Sequence, residues 1–212
     1  MRADEPLKEL VLATRNPDKG RELAALLGGL GIHIRTLAEF SAVPEVEEDG
    51  ETCEANAIKK AREVARSTGL PSVADDTGLE VDALGGQPGV FAARYAGEHA
   101  TYEDNCRKLL SELEGVPKGA RHARFLTVAA IAFPGGDIHV TQGRLEGVIA
   151  EHPIGDRGFG YDPVFLVPEY GKSLAQLTIE EKNCISHRAK AFAQMRAWLE
   201  RQCRGVGCSE HG

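Results

Sequence analysis

Apolar positions along the chain recur with two different periods, and the switches between them mark out the elements. Glu9 to Thr14 (ELVLAT) is a nearly unbroken apolar run that predicts a buried first strand, and Arg15-Asn16-Pro17-Asp18-Lys19 is a turn-rich loop ahead of a helix. Leu23, Leu26, Leu27 and Leu30 recur at helical spacing, with Gly28-Gly29 as the stop signal. Ile32 and Ile34 alternate with polar neighbours as in a half-buried strand, and Glu45 to Glu51 forms an acidic loop. Thr52 is placed to cap a helix whose buried face would hold Ala55, Ile58, Ala61 and Ala65.

After Pro71 a short strand, Ser72 to Ala74, delivers Asp75-Asp76-Thr77-Gly78, and Gly85-Gly86-Gln87-Pro88-Gly89 reads as a loop without regular structure. A helix from Thr101 would bury Leu109, Leu110 and Leu113. Two longer strands, Ala123 to Phe133 and Ile138 to Ile149, flank Pro134-Gly135-Gly136-Asp137 and predict an antiparallel hairpin. Thr178-Ile179-Glu180-Glu181 fits a capping box, and Ser186 is placed to cap a last helix burying Phe192, Met195 and Leu199. Helix-linked strands followed by a hairpin give an α/β fold with a mixed sheet. No repeat or linker interrupts the order, so residues 1–203 are expected to form a single domain, any second lobe being built on the hairpin. Residues 204–212 are expected to be a flexible tail.

Composition narrows the function classes. A formal net charge of −7 argues against sequence-independent binding to a nucleic acid polymer, which relies on Lys and Arg to neutralise phosphates. Small anionic ligands held by locally placed lysines stay open. The start of the chain, Met1 to Pro6, carries no apolar stretch behind a basic head, and no window has the length to cross a bilayer, so a cytoplasmic protein without a membrane partner is expected. Cys53, Cys106, Cys184, Cys203 and Cys208 are scattered with no C-x-x-C pair, which reads as reduced thiols and not as a zinc site.

Common nucleotide signatures fail. Gly171-Lys172-Ser173 resembles the end of a P-loop, but Leu166 stands where its first glycine belongs, and no G-x-G-x-x-G follows the first strand. Four other segments carry chemistry. Thr14 to Lys19 lies where a strand meets a helix N-terminus, where backbone N–H groups, Thr14, Asn16 and Lys19 could hold phosphate; the same residues would also make an ordinary capped turn. Glu45, Glu47, Glu48, Asp49 and Glu51, with Asp75-Asp76, supply carboxylates of the kind a magnesium ion takes beside substrate phosphates. Neighbours on an extended strand point to opposite faces, so one aspartate of the pair is the better ligand. Gly155 to Pro163 (GDRGFGYDP) surrounds Phe159 and Tyr161 with turn residues, and either ring could stack on a base; a structural loop with a core Phe is the alternative. Lys182 and Ser186-His187-Arg188 concentrate donors at a helix start, where plain solvation would be the alternative.

Together these segments resemble the inosine triphosphate pyrophosphatase family from about Leu10 to Leu199. The resemblance rests on Leu12 to Lys19 (LATRNPDK), Glu47 to Ala61 with Gly50, Thr52, Asn56 and Lys60, Ala74 to Leu79 (ADDTGL), Gly85 to Gly97 (GGQPGVFAARYAG), Phe159 to Pro163 (FGYDP), and Glu181-Lys182 with Ser186-His187-Arg188. The family implies a homodimer and an elongated mixed central sheet with helices, in two lobes around a substrate cleft. It implies hydrolysis of non-canonical purine triphosphates (ITP, dITP, XTP) to the monophosphate and pyrophosphate, with Mg2+ as cofactor. Carried over to this sequence, Thr14, Arg15, Asn16, Pro17, Asp18 and Lys19 would form the phosphate loop, with Lys60, Thr77 and Lys182 as further substrate contacts. Asp76 would be catalytic base and, with Glu47, metal ligand; Glu48 and Asp75 stay open as neighbours. Phe159, Gly160, Tyr161 and Asp162, with His187 and Arg188, would form the base pocket. Arg15 stands where the family often has glycine, and Thr77 where serine is usual. A related pyrophosphatase for modified pyrimidine nucleotides and a non-enzymatic nucleotide sensor remain as alternatives.

Overall fold

A strand, a helix and a second strand of matching length at the start of the chain can pair only in parallel, since the helix returns the chain to the same end of the sheet. β1 (Glu9–Leu12), α1 (Pro17–Leu27) and β2 (His33–Thr36) do so, with Leu10 opposite Ile34. The computed structural model describes residues Leu7 to Arg204. The readings of Met1 to Pro6, of residues 205–212 and of Cys208 lie outside the described residues, as does the side chain of Cys203; Arg204 itself still belongs to the last helix.

α2 (Cys53–Thr68) begins at Thr52, whose hydroxyl accepts from the Ala55 N–H at 3.1 Å, and ends at Gly69 in the left-handed region. Its buried face matches the expected one only in part: Ala61 and Ala65 are buried as predicted. Ala55 is exposed and Ile58 only half-buried, while Asn56 and Lys60, one turn apart, face inward beside Ala57 and Ala61. Periodicity read from apolar residues misplaces the face because two polar residues on it have partners inside.

β3 (Ser72–Val81) is ten residues long, not a short strand ending at Ala74. Leu79 and Val81 are fully buried and continue the strand through the aspartates. Its first part pairs in parallel with β1, Val11 opposite Ser72, and its last part antiparallel with β4 (Pro88–Gly89). The glycine-rich segment therefore contributes a two-residue strand where only a loop was expected. α3 (Tyr102–Glu112) starts at Thr101 with a capping box to Asp104; Leu109 and Leu113 are fully buried, Leu110 partly. β5 (His122–Ala132) and β6 (Ile138–Ile149) are neighbours joined by a reversal in which the Phe133 N–H donates to the Asp137 carbonyl at 2.9 Å, as the hairpin prediction required. β7 (Phe165–Val167) and β8 (Lys172–Ser173) follow in antiparallel pairs, then α4 (Ile179–Ile185) with the expected capping box at Thr178 and Glu181, and α5 (His187–Arg204). Phe192, Met195 and Leu199 are buried on α5 as predicted. The result is an eight-stranded mixed sheet in the order β2-β1-β3-β5-β6-β7-β8, β4 lying off this path beside β3.

The chain divides into two compact units. One runs through Asp76 and adds Val128–Gln142 and the chain from Lys190; the other comprises Thr77–Thr127 and Gly143–Ala189. Leu10, Leu23, Val73, Ile131, Phe192 and Met195 centre the core of the first. Leu79, Leu109, Leu113, Phe125, Phe165 and Leu174 centre that of the second. The hairpin is divided between the units: Val128–Gln142, with its turn, belongs to the first, and the rest of β5 and β6 belongs to the second together with α3 and α4. Among the described residues no helix is long and apolar enough to cross a membrane.

Candidate active site

In the first unit, β3 carries Asp75 and Asp76 into the interior, where they are 2% and 5% exposed. Ionised carboxylates at that depth need partners. Lys60 Nζ lies 3.4 Å from Asp76 Oδ1 and 2.9 Å from Glu48 Oε1, and Lys19 Nζ lies 3.4 Å from Asp75 Oδ2. Asn56 donates through Nδ2 to Asp76 Oδ2 at 3.2 Å. Asp76 thus pairs with Lys60 and Asn56 and Asp75 with Lys19, while the charge of each lysine reaches both carboxylates.

The acidic loop presents Glu48 to this cluster, not Glu47. Glu47 is exposed, whereas Glu48 is half-buried beside Lys60 and Asp76. Spacing from Gly50 favoured Glu47; the loop's conformation turns the next side chain inward. Burial pushes the Glu48 carboxyl up, but the charge and hydrogen bond of Lys60 outweigh it and hold the group below the ordinary carboxylate range. At Asp76 burial wins over the attraction of Lys60 and Lys19, so its carboxyl is raised. Burial would lower Lys60, yet Asp76, Glu48 and Asp75 together hold it above the ordinary range. A raised carboxylate beside a fixed cation has the character of a general base. Two hard carboxylates near each other also fit Mg2+, which takes one or two from a protein and completes its shell with water and phosphate. Among the described residues no group of three or more His, Cys, Asp or Glu side chains is placed to hold a metal ion.

The loop before α1 is more self-contained than its sequence suggested. Asn16 Oδ1 accepts from the Asp18 N–H at 2.9 Å and the Lys19 N–H at 3.3 Å, and the Gly20 N–H donates to the Asn16 carbonyl at 2.9 Å. Pro17, the first helical residue, has no N–H to offer. The helix start is therefore capped by its own side chain. The Thr14 hydroxyl accepts from the Asn16 N–H at 3.2 Å, Arg15 donates to the Val43 carbonyl at 2.6 Å, and Asp18 pairs with Arg21. From this loop Lys19 reaches the acid cluster, at Asp75.

The second unit gathers the remaining candidates. Asp162 is buried, and its Oδ2 accepts from the Phe159 N–H at 2.9 Å and from Lys182 Nζ at 2.7 Å. Gly158 makes room for it: at φ +73° a Cβ there would stand 2.1 Å from Asp162 Oδ2. Tyr161 belongs to the core, and its hydroxyl donates to the Ala92 carbonyl at 2.8 Å, so its ring is committed to packing. The Gly160 carbonyl accepts from Cys106 Sγ at 3.4 Å. Phe159 is the half-buried ring, with Lys182 Nζ 4.7 Å and Arg188 Cζ 5.4 Å from its centroid. Arg188 also donates to the Thr77 hydroxyl at 3.2 Å, and Thr77 lies 2.7 Å from the Thr127 hydroxyl. His187 stacks on Phe125, centroids 4.4 Å apart. Lys182, His187 and Arg188 are all buried, which overturns plain surface solvation as their explanation.

The sequence reading named Asn56 only as part of the family resemblance and gave it no role, although Asn56 and Lys60 four residues apart on an alanine-rich helix face were a usable signal; it did not name Thr127, which had none. The profile of the Ham1 family matches residues 10–198. The chain belongs to the Ham1 family. It is 52% identical over 193 residues to a dITP/XTP pyrophosphatase of Geobacter sulfurreducens, covering 91% of this chain and 97% of that protein. It is 53% identical over 193 residues to one from Desulforamulus reducens, covering 91% and 96%. The solved structure of a HAM1 protein from Coxiella burnetii superimposes with a TM-score of 0.84 at 43% identity, over 92% of this chain and all of that one.

Proposed function

We propose that this Ham1-family chain is a dITP/XTP pyrophosphatase, hydrolysing non-canonical purine triphosphates to the monophosphate and pyrophosphate. The observation that carries the proposal is Asp76: a buried carboxylate held by Lys60 and Asn56 and raised by its burial, with Glu48 paired to the same lysine. The relatives' activity supports the substrate class.

In this reading Asp76 takes a proton from the water that attacks the α-phosphorus, and the bond to the bridging oxygen of pyrophosphate breaks in the same displacement. Asp76 and Glu48 would hold Mg2+, which when bound supplies Lewis-acid stabilisation of the phosphate oxygens. A triphosphate brings about four negative charges, and Lys19 and Lys60 exchange their present carboxylate partners for phosphate oxygens as charge moves to the leaving group. No covalent intermediate is formed. Phe159 lies against the base, and Lys182 and Arg188 donate to the 6-oxygen of hypoxanthine or xanthine; the 6-amino group of adenine would leave those donors unmatched. Asp162 and Thr77 set the positions of these two cations. The enzyme is proposed to act as a homodimer.

The test is pyrophosphate release from dITP, ITP, XTP and the common triphosphates, with and without Mg2+, by wild type and Asp76→Asn. Release confined to the deaminated purines, dependent on Mg2+ and reduced roughly 10²–10⁴-fold in a folded Asp76→Asn protein, is expected. Turnover near wild type in that variant would remove Asp76 from the chemistry.

A further inference from the structure

Asn56 does something that the proposed reaction does not by itself require. It is 1% exposed on the inward face of α2, and its amide is used at both ends. Nδ2 donates to Asp76 Oδ2 at 3.2 Å, and Oδ1 accepts from the Gly50 N–H at 2.7 Å. Gly50 closes the acidic loop two residues after Glu48. One side chain, anchored on a helix, therefore ties the strand that carries Asp76 to the loop that carries Glu48. The contact with Gly50 is close enough to dictate the residue there: a Cβ on Gly50 would stand 2.6 Å from Asn56 Oδ1 and 2.9 Å from the Ala55 Cβ. The Thr52 cap fixes the first turn of α2 and with it the height of Asn56 along the helix.

We infer that Asn56 is a positioning residue that sets the two metal-binding carboxylates in register, and that Gly50 is glycine because any side chain would push the acidic loop off the Asn56 amide. The inference rests on the reading that Glu48 and Asp76 hold the divalent ion. A carboxylate can rotate about its χ2 axis and offer either oxygen; a donor fixed on Oδ2 leaves Oδ1 facing Lys60 and the Glu48 side of the cluster. Without that donor the loop and the strand keep their own folds but lose their common reference.

Two variants test this by different routes: Asn56→Ala removes the amide, and Gly50→Ala leaves it intact while displacing the loop from it. Mn2+ is the probe, its binding read by electron paramagnetic resonance in the presence of a non-hydrolysable α,β-imido dITP analogue. Mg2+ titrations of dITP hydrolysis run alongside, and melting in EDTA controls for folding. Outer-shell partners of metal ligands typically change affinity roughly 10–100-fold, and both variants are expected to weaken Mn2+ and shift the Mg2+ midpoint by that order. Turnover of Gly50→Ala, which keeps the Asn56 amide, should recover most of its wild-type value at saturating Mg2+, which a misfolded site would not. Wild-type Mn2+ affinity in both folded variants overturns the inference even if their melting points fall, as does a loss of turnover in Gly50→Ala that saturating Mg2+ does not restore. Should Asn56→Ala fail to fold, Gly50→Ala decides alone. Wild-type hydrolysis indifferent to metal would instead remove the parent reading, an outcome visible before any variant is made.

Discussion

At the residue scale the deciding fact is which neighbour of a like pair faces inward. Glu47 and Glu48 are chemically equivalent in the sequence, and so are Asp75 and Asp76; only backbone conformation separates them. Glu48 reaches Lys60 while Glu47 stays in water, and Asp76 meets Lys60 and Asn56 while Asp75 meets Lys19. Glu48→Gln should therefore raise the Mg2+ concentration needed for half-maximal dITP hydrolysis by at least roughly tenfold, and Glu47→Gln much less. Equal shifts in a Mg2+ titration would return Glu47 to the site. The cysteines divide in the same way. Burial, helped by the charge of Asp76, pushes the Cys53 thiol up to about 12, and burial with Asp162 nearby pushes Cys106 up to about 11, while Cys184 is exposed. Because the thiolate is the nucleophile, iodoacetamide at neutral pH should modify Cys184 in the folded protein and spare the other two until denaturant is added. Peptide mapping before and after denaturation reads the result.

Elements were legible where local rules and burial agree. Thr52, Thr101 and Thr178 mark helix starts, the Leu109 and Leu113 spacing marks α3, and the Pro134 to Asp137 reversal marks the hairpin. They were misread where a polar residue is inside for the sake of another. The α2 face turned because Asn56 and Lys60 serve Asp76, and β3 was cut short because aspartates rarely continue a buried strand unless cations wait for them. The loop from Gly155 to Pro163 shows a third case. Tyr161 packs as core, while Asp162, nominally a ligand contact, holds Lys182 and the Phe159 backbone. Gly158→Ala should thus do more than strain one φ angle. A left-handed alanine costs roughly 1–2 kcal/mol, and displacing Asp162 would leave Lys182 buried without its carboxylate, a loss that can reach about 3–5 kcal/mol. Urea denaturation should show a destabilisation of about 3 kcal/mol or more. A change within about 0.5 kcal/mol would mean that the loop relaxes without moving Asp162.

At the scale of the whole molecule, the two units divide the proposed labour by charge type. The first holds alternating lysines and carboxylates suited to phosphates and a divalent ion. The second holds cations set against an aromatic ring, suited to a flat base with an acceptor oxygen. Asp76 and Thr77, the last residue of one unit and the first of the next, are consecutive on β3, so a single strand carries both the proposed base and the hydroxyl that accepts from Arg188. If the division is real, a variant in one unit should change a different kinetic quantity from a variant in the other. Lys19→Ala removes a phosphate contact common to all triphosphates, so it should lower kcat/KM for dITP and dATP by the same factor and leave their ratio unchanged. Arg188→Ala removes a charged donor that only the 6-oxo purines can use, at a cost of roughly 1.5–3 kcal/mol for dITP and little for dATP, so the ratio should fall about 10–150-fold. Thr77 would lose its guanidinium partner in that variant, but a hydroxyl still 2.7 Å from Thr127 remains bonded, and the fold should survive for the comparison. An unchanged dITP to dATP ratio in folded Arg188→Ala, with both substrates slowed alike, would assign Arg188 to the phosphates or to the scaffold and leave Lys182 over Phe159 as the remaining reader of the base.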